Sequence, residues 1–203
     1  MTGRGLEMAE IVLFHHVQGL TEGLRRLAAL LEDDGHTVHL PDLFGGRTFE
    51  TIPDGIAFQQ SLDEDETARA VAAVIDPLPA DLAYIGFSWG VQYAQRFTQT
   101  RDGARGGVFF DSCLPLTGDW AFGPWPDGVP VQIHGKEDDE FFAHEGDIDA
   151  AREIVATIGP ELAELYVYPG DQHLFADSSL ASYDPEAAAL AIERTRAFLT
   201  RIS

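Results

Sequence analysis

Short apolar runs alternate along the chain with segments in which apolar residues recur every three or four positions. The runs are typical of buried strands, and the periodic segments are typical of amphipathic helices. The first helix repeats Leu24, Leu27 and Leu31 on one face and stops at Gly35. Strands are predicted at residues 11–14, 37–40, 82–86, 107–110, 129–134 and 165–168, and helices at 21–34, 63–75, 91–100, 148–158 and 185–199.

Strands that alternate with helices indicate a mostly parallel central sheet with helices on both faces. The length of 203 residues suits one domain with one core. We predict a flexible N-terminus over residues 1–8 and a single α/β domain over residues 9–203.

Two long connections contain no predicted element. Residues 42–56 form a loop rich in Gly and Pro, and residues 114–128 hold Trp120, Phe122 and Trp125. A long structureless loop in a compact domain is often functional. The aromatic side chains of the second loop either cover a site or pack onto the core.

The chain is strongly acidic, with 34 acidic and 13 basic residues and a net charge of −21. Such a field repels phosphate backbones and anionic lipids, so neither nucleic acid nor a membrane is an expected partner. Residues 1–10 lack an apolar signal core. The one cysteine, Cys113, excludes an internal disulfide, and we expect it to be buried. We expect a cytoplasmic monomer or weak homo-oligomer with a small-molecule substrate.

Residues 86–90 read Gly-Phe-Ser-Trp-Gly and match the pattern G-x-S-x-G. A strand is predicted directly before the pattern and a helix directly after it, which is the context of a nucleophile elbow. In that turn Ser88 stands above the strand end, and the first amides of the helix face developing negative charge. The structural alternative is a tight turn with a capping serine.

A serine hydroxyl needs a base to act as a nucleophile. In α/β folds with a nucleophile elbow, the order along the chain is Ser, then the acid, then His. His173 follows the last predicted strand and Asp138 follows the fifth, so both lie at carboxyl ends of strands, where ligands collect. Asp138 is the preferred acid, with Asp139 next and Glu137 as a further competitor. His134 ends a strand, and we expect it to be structural.

The adjacent residues His15 and His16 do not predict a zinc site, because neighbours on a strand point to opposite faces. The sequence contains neither an HExxH motif nor a Cys/His cluster. We therefore predict no metal site.

Further stretches occur in a specific order. Residues 11–20 read Ile-Val-Leu-Phe-His-His-Val-Gln-Gly-Leu, residues 35–46 read Gly-His-Thr-Val-His-Leu-Pro-Asp-Leu-Phe-Gly-Gly, and residues 170–176 read Gly-Asp-Gln-His-Leu-Phe-Ala. Together with the elbow and the pair His134-Gly135, this set resembles the dienelactone hydrolase family from about Glu10 to the C-terminus.

The resemblance implies an α/β-hydrolase fold and hydrolysis of small esters or lactones without a metal or an organic cofactor. It also implies an oxyanion hole formed by the backbone amides of Val17 and Trp89. The implied triad is Ser88, Asp138 and His173.

Three positions depart from the best-known members. Ser88 replaces a cysteine, and a serine depends more on its base because a thiol ionises far more readily. His16 replaces a glutamate in the first loop, and Asp177 replaces an arginine that binds a substrate carboxylate. A carboxylate at position 177 would repel an anionic substrate, as would the net charge of −21, so we predict neutral substrates. Arg47, in the Gly-rich loop, is the one basic candidate nearby in the sequence. The predicted pocket residues are His16, Arg47, Trp120 and Trp125.

The sequence thus predicts a serine esterase or lactonase that acts by two-step acyl transfer. The alternative is a non-catalytic α/β-hydrolase-fold protein, a small-molecule receptor or scaffold that keeps the pocket without turnover.

Overall fold

A computed structural model describes residues 8–203, so the predicted flexible N-terminus, residues 1–8, lies outside the described residues except for Met8. The strands are β1 (Glu10–Phe14), β2 (Thr37–His39), β3 (Leu82–Phe87), β4 (Gly106–Phe110), β5 (Val131–Lys136) and β6 (Ala163–Tyr168). The α-helices are α1 (Glu22–Asp33), α2 (Ile52–Gln59), α3 (Glu64–Ile75), α4 (Val91–Thr100), α5 (Asp147–Ile158) and α6 (Pro185–Ile202). No helix within residues 8–203 is long and apolar enough to cross a membrane.

The six strands form one sheet in the order β2-β1-β3-β4-β5-β6, and every neighbouring pair is parallel. The chain order reverses between β1 and β3, because β2 lies on the far side of β1. In open parallel sheets such a reversal opens a crevice at the carboxyl ends of the strands. The segments that follow β1 and β3 therefore meet at this crevice.

Helices cover both faces of the sheet, as the alternation of elements predicts. On one face α1 and α6 pack against β1 and β3 through side chains such as Leu24, Leu31 and Phe198. On the other face α3, α4 and α5 pack through side chains such as Val71 and Ile154. The four inner strands β1, β3, β4 and β5 are buried on both sides, which explains why they read as largely apolar runs, whereas the edge strands β2 and β6 are partly exposed.

The prediction of a loop over residues 42–56 is wrong at its end, because α2 begins at Ile52. The side chain of Thr51 caps this helix by accepting a hydrogen bond from the backbone N–H of Asp54 at 3.3 Å, and Pro53 lies in its first turn. A capping threonine followed by an early proline is a helix start signal, and it was hidden by the glycines upstream. The second connection is a loop as predicted: residues 114–128 contain no helix or strand.

Candidate active site

Ser88 occupies a sharp turn between β3 and α4. Its backbone has a φ angle of 47°, a left-handed conformation that is uncommon for a residue with a side chain. The flanking glycines make the turn possible. A Cβ atom on Gly86 would lie 2.7 Å from Cα of Val91, and one on Gly90 would lie 2.5 Å from the carbonyl oxygen of Phe14. The pattern G-x-S-x-G therefore reflects close packing of the turn against α4 and the end of β1.

His173 joins the elbow from the loop after β6. Its Nε2 atom lies 2.8 Å from Oγ of Ser88, and its Nδ1 atom lies 2.7 Å from Oδ2 of Asp139. A carboxylate can only accept, so Nδ1–H donates to Asp139 and Nε2 is left to accept from the Ser88 hydroxyl. A continuous hydrogen-bonded chain thus runs from the serine to a buried carboxylate.

The residue that contacts His173 is Asp139, and the choice of Asp138 is corrected by this geometry. Strand β5 runs two residues further than predicted, and the backbone pairing with the next segment continues as Asp138 N–H donates to the carbonyl of Gly170 at 3.0 Å. The side chain of Asp138 is exposed. Asp139 is completely buried, and its Oδ1 accepts the backbone N–H of Phe141 at 2.9 Å.

The surroundings of His173 favour its protonated form. Burial alone would lower the pKa of the imidazole, but the hydrogen bond to Asp139 and the charges of Asp111, Asp139 and Asp147 outweigh burial. The pKa of His173 is therefore raised above its ordinary value of 6.5. A base of this kind gains affinity for the proton that it must take from Ser88.

The loop after β1 lies directly beside the elbow. The close approach of Gly90 to the carbonyl oxygens of Phe14 and His15 fixes this neighbourhood, and a Cβ on Gly55 of α2 would lie 2.1 Å from the carbonyl oxygen of Val17. Val17 thus packs closely against α2, three residues after the end of β1, which the elbow contacts. The two segments predicted to supply oxyanion-binding amides, at Val17 and Trp89, are neighbours in the fold.

His16 and Asp177 form a buried pair, with Nε2 of His16 2.9 Å from Oδ2 of Asp177 and both side chains fully buried. Nδ1 of His16 accepts the backbone N–H of Gln18, so Nε2–H donates to the carboxylate and the ring is neutral. Burial lowers the pKa of His16 despite the neighbouring charge. Burial would raise the pKa of Asp177, but hydrogen bonds from His16, Ser179 and Thr21 hold it down to about 2.

This pairing changes the interpretation of two predicted residues. Asp177 does not face a substrate, because His16, Thr21 and Ser179 occupy its carboxylate in the interior. The expected local repulsion between Asp177 and an anionic substrate is therefore not supported. His16 is likewise completely buried, and its hydrogen bond to Asp177 links the loop after β1 to the loop after β6.

The other three predicted pocket residues lie in three different places in the structure. Trp125 packs in the core at 7% exposure and donates its indole N–H to the carbonyl of Val129 at 2.8 Å, so it does not line an open pocket. Trp120 is 74% exposed and borders a cavity of about 660 Å³ together with Ser112 and Asp147. Arg47 is exposed and lies over the ring of Phe58 at 5.0 Å.

An aromatic cluster beside the nucleophile was not predicted. The ring of Trp89 lies 5.7 Å from His15, 5.2 Å from Phe44 and 5.3 Å from Tyr93. His15 donates Nδ1–H to the carbonyl of His16 and accepts the backbone N–H of Leu43 at Nε2, so it is neutral. Burial lowers the pKa of His15 to about 4. Trp89, the residue after Ser88, therefore belongs to a packed aromatic cluster, which the spacing of single aromatics does not reveal.

One group of three side chains within residues 8–203 has ligand-type atoms close enough for a metal, namely Asp111, Asp139 and His173, whose atoms lie within 4.8 Å of one another. Both ring nitrogens of His173 already form hydrogen bonds, Nδ1 with Asp139 and Nε2 with Ser88. We therefore assign this group to proton chemistry. His134, as expected, is structural: it is buried and bonded to Tyr168 and Gln132.

The fold matches that of known proteins. The model of the dienelactone hydrolase family matches residues 4–203. A dienelactone hydrolase-like promiscuous phosphotriesterase, P91 from metagenomic libraries, is 18% identical, with 99% of this chain and 89% of that chain covered and a TM-score of 0.75. The protein m3DLH is 21% identical, with 99% of this chain and 89% of that chain covered and a TM-score of 0.74.

A propionate-bound esterase from Thermogutta terrifontis is 19% identical, with 97% of this chain and 84% of that chain covered and a TM-score of 0.62. At these identities the likeness shows the fold. No curated protein matches the sequence significantly. The match of the family model over nearly the whole chain shows that this protein belongs to the dienelactone hydrolase family and is a hydrolase with the α/β-hydrolase fold.

Proposed function

We propose that the protein is a serine hydrolase of small carboxylic esters or lactones. One observation carries the proposal: Ser88, His173 and Asp139 form an unbroken hydrogen-bonded chain at 2.8 Å and 2.7 Å. A hydroxyl held by a neutral imidazole, which is itself oriented by a buried carboxylate, is the arrangement that activates serine for acyl transfer.

In the first step Oγ of Ser88 attacks the carbonyl carbon, and its proton passes to Nε2 of His173. Asp139 keeps Nδ1 protonated and stabilises the imidazolium that forms. The imidazolium then protonates the leaving alcohol, and an acyl-enzyme remains. In a lactone the leaving alcohol stays attached to the acyl group.

In the second step water gives a proton to His173 and attacks the acyl-enzyme; His173 then returns this proton to Oγ of Ser88 as the acid leaves. We assign the backbone amides of Val17 and Trp89 to the negative oxygen in both steps. The contact of the elbow with the end of β1 supports this assignment. Each such contribution, proton transfer and oxyanion binding, is expected to supply on the order of a hundredfold or more in rate.

Neutral, short-chain substrates fit the site best. The net charge of −21 opposes an anion at long range. The arginine that binds a substrate carboxylate in the best-known relatives is replaced by Asp177, which is occupied in the interior. The aromatic cluster of Trp89, Phe44 and Tyr93, which begins at the residue after Ser88, would offer apolar contacts to a neutral substrate instead. The esterase from Thermogutta terrifontis holds propionate, a short acid.

A fluorophosphonate probe tests the proposal, because it reacts with an activated serine. We expect labelling of the wild type at Ser88, no labelling of Ser88→Ala, and hydrolysis of p-nitrophenyl acetate by the wild type alone. Equal labelling of both proteins would refute the assignment of the nucleophile.

The same experiment distinguishes the alternative of a non-catalytic receptor or scaffold. A receptor would bind small esters without release of alcohol and would leave Ser88 unlabelled. Circular dichroism of Ser88→Ala is the control, since the variant must be folded for the comparison to count.

A further inference from the structure

Asp111 is a buried carboxyl group for which the triad leaves no role. It follows Phe110 at the end of β4, has a φ angle of 60°, and is 1% exposed. Its backbone N–H donates to the carbonyl of His134 at 2.8 Å, so the main chain is fixed. Neither carboxyl oxygen makes a hydrogen bond of good geometry among the described residues. Such a group lowers the stability of the fold, so its presence calls for an explanation such as a role in the chemistry of the site.

The position of Asp111 indicates that role. Its carboxyl oxygen, a carboxyl oxygen of Asp139 and a ring nitrogen of His173 all lie within 4.8 Å of one another. The other groups near Asp111 are the ammonium of Lys136 and the backbone N–H of Leu174, and both favour its ionised form. Lys136 does not neutralise Asp111 by contact, because it donates to the carbonyl of Pro169 and to Asp184.

We infer that Asp111 is a positioning residue for the proposed Ser88 chemistry, a second buried carboxyl group that acts with Asp139 to stabilise the imidazolium of His173. The inference rests on the proposed function. During acylation the proton moves from Oγ of Ser88 to Nε2 of His173, and Asp111 neither gains nor loses a proton. Its contribution is its negative charge, which acts on the imidazolium more strongly among buried groups than it would in water.

The carboxyl group of Asp111 itself has a pKa near neutral pH. Burial raises the pKa of Asp111 to about 7, with the charge of Asp139 acting in the same direction and His173 acting against it. Ionised Asp111 raises the pKa of His173, together with Asp139 and Asp147, whereas His16 faces His173 as a neutral ring. Removal of the charge at Asp111 should therefore lower the pKa of His173.

The test is the pH dependence of fluorophosphonate labelling for wild type, Asp111→Asn and Asp138→Asn. Asparagine matches the size of aspartate and tolerates a positive φ, so the first variant should fold. Because the base must be neutral, labelling rises with pH through the pKa of His173. We expect Asp111→Asn to move the midpoint down by at least about half a pH unit, as loss of a neighbouring charge does. The rate on the plateau should fall roughly three- to tenfold, since the imidazolium loses a partner.

Asp138→Asn is the matched control, because it removes a nearby charge that is exposed to solvent. Its midpoint should stay unchanged. An unshifted midpoint in folded Asp111→Asn, or an equal shift in Asp138→Asn, overturns the inference. Asp111→Gly, which also accepts the backbone conformation, serves as a second variant if Asp111→Asn fails to fold. Labelling of Ser88→Ala would instead refute the proposed function, so the two failures are distinguishable.

Discussion

Nε2 of His16 lies 2.9 Å from Oδ2 of Asp177, and this pair ties the loop after β1 to the loop that carries His173. Thr21, the N-cap of α1, and Ser179 also donate to the same carboxylate. Asp177→Asn should therefore destabilise the protein by about 1–3 kcal/mol, because buried donors lose an anionic acceptor. Urea unfolding at pH 7 measures this, with the exposed Asp171→Asn as a control that should match wild type.

The sign of the pH dependence follows from the low pKa of Asp177, about 2 in the folded chain against an ordinary value of 3.8. A depressed pKa stabilises the fold above the unfolded value and is lost as pH falls through the folded one. The stability difference between wild type and Asp177→Asn should shrink between about pH 4 and pH 2. A constant difference over that range would contradict the pairing.

Asp139 should be the acid of the triad. Asp139→Asn can no longer hold Nδ1 of His173 protonated, so kcat/KM for a neutral ester should fall by roughly two to four orders of magnitude. Asp138→Asn should stay within about twofold of wild type, because its side chain makes no contact with His173 and is exposed. The reverse order of these two variants would reinstate Asp138.

The activity of the wild type should require deprotonation of His173, whose pKa lies above 6.5 because the hydrogen bond to Asp139 and the charges of Asp111, Asp139 and Asp147 outweigh its burial. Since only the neutral imidazole accepts the Ser88 proton, kcat/KM should fall as pH decreases through that pKa. The measurement is kcat/KM for p-nitrophenyl acetate as a function of pH. A midpoint at or below 6.5 would mean that burial dominates.

Gly90→Ala should disturb the elbow and the fold together. The added Cβ would lie 2.5 Å from the carbonyl oxygen of Phe14, a backbone atom that cannot move aside alone. Overpacking of this kind destabilises by typically about 1–3 kcal/mol, and here it also displaces the Trp89 amide. Thermal unfolding and labelling of Ser88 should both change. Gly45→Asn is the control, because the site is open space and its φ angle of 61° is one that asparagine tolerates; it should change both far less.

The charge of the substrate should affect kcat/KM, because the strongly acidic protein repels anions. For a neutral ester and its carboxylate-bearing analogue, we expect kcat/KM to favour the neutral one, with a gap that narrows at high salt. Preference for the anion at low and high salt would point to a cationic contact, and Arg47 over Phe58 is the residue to replace first.

Local signals were predictable from the sequence, and side-chain directions were not. The elbow at Ser88 depends on five consecutive residues and their flanking elements, so its pattern carries the information. The choice between Asp138 and Asp139 depends on how far β5 pairs with the segment after β6, which is a tertiary contact. The lack of a hydrogen bond of good geometry at Asp111 and the burial of Trp125 likewise depend on what other segments place around them.

The edge position of β6 gives the site a weak point. Strand β6 pairs only with β5, and the residues that follow these two strands are His173 and Asp139. Ser88 directly follows β3, which lies inside the sheet with β1 and β4 on its two sides. Opening of the outer ladder would separate base from nucleophile while the central strands stay assembled. Loss of turnover should therefore precede loss of the core, so the esterase assay reports the integrity of one sheet edge.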